Sequence, residues 1–164
     1  MSLTHLWAPW RMEFIKGKPP QGCVFCDLPA DKNNDRQNLI VHRGKEAFII
    51  LNKYPYNNGH VLIVPNLHVA NLLEVPDSAL TEMNALSKKA MRALDEIYSP
   101  QGYNMGINQG EAAGAGVKHH IHLHIVPRWM GDTNFMPVLA ETKSLPQHLL
   151  KSFDDLHSLL EGKP

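Results

Sequence analysis

Lys118-His119-His120-Ile121-His122-Leu123-His124-Ile125-Val126-Pro127-Arg128 is the stretch from which the fold is read. Histidine alternates with aliphatic residues at 120, 122 and 124, and a strict period of two with β-branched residues between marks a strand. Successive strand side chains point to opposite faces. The spacing therefore predicts His120, His122 and His124 in one row, about 6.5–7 Å between neighbours, with Ile121, Leu123 and Ile125 facing the core. Gly110, Gly114 and Gly116 supply a turn before the row, and Pro127-Arg128 ends it. Crowded imidazoles lower one another's basicity by repulsion, which suits a nucleophile near neutral pH. Two plainer readings compete: a solvated strand face that uses histidine, and one half of a metal site, since His-x-His on a strand converges on a metal.

A second block, Asn58-Gly59-His60-Val61-Leu62-Ile63-Val64-Pro65 with His68 after it, is a near-continuous apolar strand from His60 to Pro65. Together with His120 to Val126 and the pair Cys23 and Cys26, it resembles the signature of the histidine triad (HIT) family of nucleotide hydrolases and transferases, from about residue 23 to residue 130. The opening Leu6-Trp7-Ala8-Pro9-Trp10-Arg11 and the ending Pro127-Arg128-Trp129 resemble the bacterial branch containing diadenosine tetraphosphate phosphorylases. The resemblance implies an antiparallel sheet that pairs into a homodimer.

The chemistry follows from His122, which has a histidine two positions away on either side. A neutral imidazole nitrogen can attack the α-phosphorus of a nucleotide and form a phosphoramidate, splitting a hard displacement into two easier ones. Its other ring nitrogen must keep its proton, so a backbone carbonyl of the same motif is expected to fix the tautomer. His124 is placed for general acid work, and His120 completes the catalytic row. Backbone N–H groups of Gly114, Ala115, Gly116 and Val117 are expected to face phosphate oxygens. By resemblance, Asn52 falls at the nucleotide ribose and one of Asn108 and Gln109 at the phosphate chain, a one-residue difference in turn length leaving open which. His60 is counted with these nucleotide-binding residues. Among the motifs nothing resembles an acidic magnesium site, and Arg128 is read as a surface cation after the strand.

The chain has 164 residues, enough for one domain with a real core and too few to expect two. With 16 basic and 16 acidic residues the formal charge is zero, so no global field attracts a nucleic acid polymer or a membrane surface. No apolar run approaches the ~20 residues needed to span a bilayer, and the N-terminus lacks the apolar core of a signal peptide; a cytoplasmic location is expected. The two cysteines, Cys23 and Cys26, follow a turn at Lys18-Pro19-Pro20-Gln21-Gly22 where a redox motif would want a strand, which favours a metal clip. A tetrahedral site needs two further ligands, and many histidines are formally available. Resemblance to triad-superfamily members with a cysteine pair selects His68 and His120, with His42 in reserve. The cofactor expected is therefore one structural zinc, with no organic cofactor.

In order, residues 1–22 read as an extended arm, 23–140 as the nucleotide-binding catalytic domain and 141–164 as a C-terminal helix packing on it. Residues 27 to 38 are polar and turn-rich and read as a loop. Leu39 to His42 and Ala47 to Leu51 read as a hairpin. A loop from Asn52 to Gly59 precedes the strand His60 to Pro65, and Asn66 to Leu73 begins a short helix. Asp77 is read as the N-cap of the longest helix, whose stripe is Leu80, Met83, Leu86, Ala90, Leu94 and Ile97. Tyr103 to Asn108 and Pro137 to Ala140 read as strands, and Pro146 to Leu160 as a helix. This order predicts an α+β fold: an antiparallel sheet with helices on one face. The function expected is cleavage of a dinucleoside polyphosphate, such as diadenosine tetraphosphate, through a nucleotidyl-histidine, with water or phosphate as acceptor. The alternatives are a nucleoside phosphoramidate hydrolase, a hydrolase using zinc held by the triad itself, and a non-catalytic nucleotide-binding protein.

Overall fold

The computed structural model describes residues 22–132 and 147–162. Five antiparallel strands form one sheet in the order β1 (Ile40–Arg43), β2 (Ala47–Leu51), β3 (Val61–Pro65), β5 (Leu123–Arg128) and β4 (Gly102–Ile107). Two short helices, α1 (Val24–Ala30) and α2 (Asp35–Asn38), precede the sheet; the long helix α3 (Asp77–Tyr98) joins its halves, and α4 (Leu149–Glu161) follows. This is the expected α+β architecture in a single domain.

The central strands are apolar throughout, because both their faces are covered: every residue of β2 and β3 is buried. The register puts Phe48, Ile50, Leu62, Val64 and His124 on one face. The other face meets α3, whose stripe buries Ala79, Met83, Leu86, Ala90, Ala93 and Leu94. Helix α4 buries Phe153, Leu156 and Leu160 against β1 and α3. Glu82 of α3 accepts the backbone N–H groups of Lys45, Glu46 and Ala47, pinning the β1–β2 turn to the helix.

Several expectations are corrected. The histidine strand begins only at Leu123, since β3 pairs with β5 from Ile63↔Leu123 onward. Beyond that point Pro65 has no N–H to donate and its carbonyl is taken by the His120 ring, while the Ile121 N–H goes to Val69. Residues 27 to 38 are helical over much of their length, because Phe25 is buried and draws the segment onto the sheet. The helix expected from Asn66 reduces to a 3-10 turn, Leu72–Glu74, capped by Asn71. The N-cap of α3 is Pro76, and Asp77 lies in its first turn. The strand expected at Pro137 to Ala140, and the arm with Trp7 and Trp10, lie outside the described residues.

Candidate active site

His120 and His122 sit in the irregular lead-in to β5 and His124 on the strand itself, and the first two are buried: His120 is 0% and His122 4% exposed. The row is therefore not a solvated face. Phe25 lies against both rings, with centroids 5.6 Å from His120 and 4.9 Å from His122. Burial, more than repulsion between imidazoles, pushes the basicity of both below the ordinary range; for His120, the neighbouring His68 and His122 add to it.

Their hydrogen bonds define which nitrogen carries each proton. His122 Nδ1 lies 2.9 Å from the carbonyl oxygen of His120, which can only accept, so the proton is on Nδ1 and the Nε2 lone pair is available. His120 Nε2 lies 2.8 Å from the Pro65 carbonyl, leaving its Nδ1 lone pair toward the cysteines. At the other end, the Tyr56 N–H donates to His60 Nδ1 at 3.1 Å, which puts the His60 proton on Nε2. His60 Nε2 then donates to His124 Nδ1 at 2.9 Å, leaving the His124 proton on Nε2. The Tyr56 ring stacks on His60 at 4.9 Å. The rings of His122 and His124 are 4.9 Å apart. An electron-pair donor and a proton donor thus stand side by side.

The loop before β3 is closed by Gly59, whose φ is +71°; a Cβ there would stand 2.7 Å from Leu94 and 2.9 Å from Tyr98. Only glycine lets the loop approach α3 closely enough to deliver His60. Asn52 is turned inward: its side-chain oxygen accepts the Tyr54 N–H at 2.9 Å and its amide nitrogen is 3.3 Å from His60 Nδ1. Gln109 Oε1 accepts the Leu72 N–H at 2.9 Å, which commits that side chain to the 66–75 loop and not to the Asn108 side of the turn. Within the glycine turn, the Gly114 N–H bonds Glu111 and the Ala115 N–H bonds Gly110, whereas Gly116 and Val117 have no backbone partner among the described residues.

The second cluster is Cys23, Cys26, His68 and His120, whose ligand atoms all lie within 4.8 Å of one another. Cys23 Sγ is 3.3 Å from His120 Nδ1, and Cys26 Sγ is 3.3 Å from His68 Nδ1. Burial, and Cys23 beside it, push the Cys26 thiol up to about 11, so that thiol stays protonated by itself; a divalent cation at the centre would reverse that. Two sulfurs, two imidazole lone pairs and a carbonyl fixing the tautomer of one imidazole fit a tetrahedral zinc. His42 is elsewhere, paired with Glu161 at 2.5 Å. The triad does not converge on one metal, because the free lone pair of His120 faces the thiols and the His122 Nδ1 proton faces a carbonyl.

Sequence reasoning did not single out Phe25, Tyr56, Asn57 or Asp132. Asn57 is 6% exposed and donates to the Pro127 carbonyl at 3.0 Å and to Asp132 at 2.8 Å. Arg128, read as a surface cation, is 40% exposed along its side chain and is also the bidentate partner of Asp132.

The model of the HIT domain matches residues 33–130. The AP-4-A phosphorylase of Mycobacterium tuberculosis (strain ATCC 25618 / H37Rv) is 36% identical over 156 residues, covering 90% of this chain and 79% of that protein. A zinc-bound histidine triad family protein from Mycobacterium smegmatis has a similar structure, with a TM-score of 0.67 and 29% identity over 86% of this chain and 94% of that one. A HIT family member from Bacillus subtilis gives a TM-score of 0.60 and 29% identity, covering 68% and 76% of the two chains.

Proposed function

The chain belongs to the HIT-domain family of nucleotide hydrolases and transferases, and from that premise we propose that it cleaves dinucleoside polyphosphates of the diadenosine tetraphosphate type at the α-phosphorus. The observation that carries the reading is the tautomer of His122: a proton held on Nδ1 by the His120 carbonyl and a lone pair on Nε2. The Nε2 lone pair attacks the α-phosphorus, and the bond from that phosphorus to the bridging oxygen breaks. The proton on His124 Nε2 passes to the departing oxygen. The nucleotidyl-imidazolium left on His122 keeps its Nδ1 proton against the carbonyl dipole, which stabilises the positive ring. The acceptor then displaces His122 with inversion of the same geometry. The name of the mycobacterial relative favours phosphate as that acceptor, with water as the competing one.

Asn52 borders the ribose end, and Asn108 with the Gly116 and Val117 N–H groups serves the phosphate chain; His60, expected among the nucleotide-binding residues, is fully buried and orients His124 from behind. Gly114, Ala115 and Gln109 shape this turn through their bonds to Glu111, Gly110 and Leu72. Cys23, Cys26, His68 and His120 hold a zinc ion whose role is structural, tying α1 to the segment that carries His122. Helix α4 (Leu149–Glu161) closes the domain at β1. A homodimer forms through the edge of the sheet at β4 and the neighbouring end of α3, since among the described residues β4 has no outer partner and its Met105 is 47% exposed. Light scattering at micromolar concentration tests the dimer, and a monomer mass would contradict it.

Diadenosine tetraphosphate assayed with and without inorganic phosphate tests the function. Formation of ADP plus ATP only with phosphate identifies a phosphorylase, and AMP plus ATP in its absence a hydrolase. No nucleotide product under either condition would overturn the reading.

A further inference from the structure

Two residues outside the triad, Asn57 and Asp132, meet at the far end of the loop that carries His60. The Asn57 amide donates to Asp132 Oδ2 at 2.8 Å across 75 positions of sequence. Asp132 also accepts Arg128 Nε at 2.5 Å, Arg128 Nη2 at 2.8 Å and the Trp129 N–H at 3.2 Å. The Arg128 guanidinium beside it holds its carboxyl well below the usual carboxylate range, so the acceptor is charged at any working pH. A second bond from the same Asn57 amide reaches the Pro127 carbonyl of β5 at 3.0 Å. Its own carbonyl accepts the His60 N–H at 3.2 Å. One buried side chain therefore fastens the 52–60 loop to the strand that bears His124.

We infer that Asn57 and Asp132 are positioning residues that set the proton on His124. Neither touches His124. They hold the loop at the height where the Tyr56 N–H meets His60 Nδ1 and where His60 Nε2 meets His124 Nδ1. With the loop released, both imidazoles can exchange tautomers, and His124 loses its fixed proton toward the phosphoryl group. The kinetic consequence rests on the reading of His124 as proton donor; the tautomer consequence does not. A buried amide with two acceptors and a salt-bridged carboxylate is more polar apparatus than a plain loop closure needs, and burying it costs free energy unless every bond is made.

The test pairs a spectroscopic measurement with kinetics on Asn57→Ala, Asp132→Ala and Asp132→Asn, the last retaining an oxygen toward Asn57. Long-range 15N–1H correlation of labelled histidines should give single Nε2–H tautomers for His60 and His124 in the wild-type protein and averaged tautomers in Asn57→Ala and Asp132→Ala. Turnover of diadenosine tetraphosphate by those two variants should fall about 30-fold in kcat with KM within about threefold, a part of the roughly 10²–10⁴-fold that a placed proton donor contributes. Asp132→Asn should recover most of both signals. Wild-type tautomers persisting in Asn57→Ala and Asp132→Ala would overturn the inference, as would a loss confined to KM. Averaged tautomers in these variants, with no turnover even by the wild-type protein, would uphold the positioning role and sink only the catalytic reading.

Discussion

The two ends of the histidine row use one side chain for opposite ends of chemistry. His120 directs an unprotonated Nδ1 at two thiols, with its proton given to the Pro65 carbonyl. His124 accepts on Nδ1 from His60 and keeps its proton on Nε2. The difference is made entirely by partners, since the residues are identical and four positions apart. Where the partner of a ring nitrogen is a carbonyl, that nitrogen is a donor; where it is an N–H, it is an acceptor. His122 lies between them and takes its tautomer from the proposed metal end, through the backbone carbonyl of His120. The metal end is thus expected to set stability and the relay end to set rate, with His122 alone essential to turnover.

The largest effect sharpens the centre. His122→Asn should lower kcat by at least about 10⁴-fold, because no neighbouring group supplies the lone pair. The ring is buried against Phe25, so the variant also loses some stability; a melting curve separates this from the kinetic loss. The relay end comes next: His124→Asn should lower kcat by roughly 10²–10³-fold with the melting temperature nearly unchanged. A large drop in melting temperature with wild-type kcat would reverse the assignment of the two ends.

At the metal end, Cys23→Ser with Cys26→Ser should remove about one zinc per chain and about 2–4 kcal/mol of stability, roughly 5–15 °C, while kcat changes less than about tenfold below the melting transition. Unchanged metal content and melting temperature would show that the cysteines form only a turn. The smallest effect belongs to neither end. Glu82 would be raised by burial, but its three backbone N–H bonds outweigh that and hold it below its ordinary value of 4.5. A depressed carboxylate stabilises above its unfolded value and loses that contribution as pH falls through its folded one. Glu82→Gln should therefore lower the melting temperature by a few degrees at pH 7, and the gap to the wild-type protein should close as pH drops below about 4.

The elements that sequence reading recovers are those whose pattern is set by one buried surface. The stripe of α3 and the Leu149–Leu160 spacing in α4 repeat at the helical period, and the short unbroken apolar runs of β2 and β3 mark strands buried on both faces. What it misses depends on contacts made from far away. Helix α1 contains Pro29 and polar neighbours, and exists because Phe25 finds the histidine rings across the fold. Alternation at 120 and 122 mimics a strand, yet the rings compete for the carbonyls that a ladder would use. In the candidate site, the histidines and cysteines stand out by residue type and spacing. Asn57 and Asp132 look like ordinary turn residues until the fold brings them together.

The central claim is that the lone pair of His122 Nε2 forms the bond to the nucleotide. Rapid-quench mass spectrometry of the protein mixed with diadenosine tetraphosphate measures it directly. An acid-labile adenylate on the peptide holding His122, formed and lost at rates no slower than turnover and absent from His122→Asn, is the predicted result. Full turnover with no adduct at any quench time, or an adduct on another residue, would contradict it.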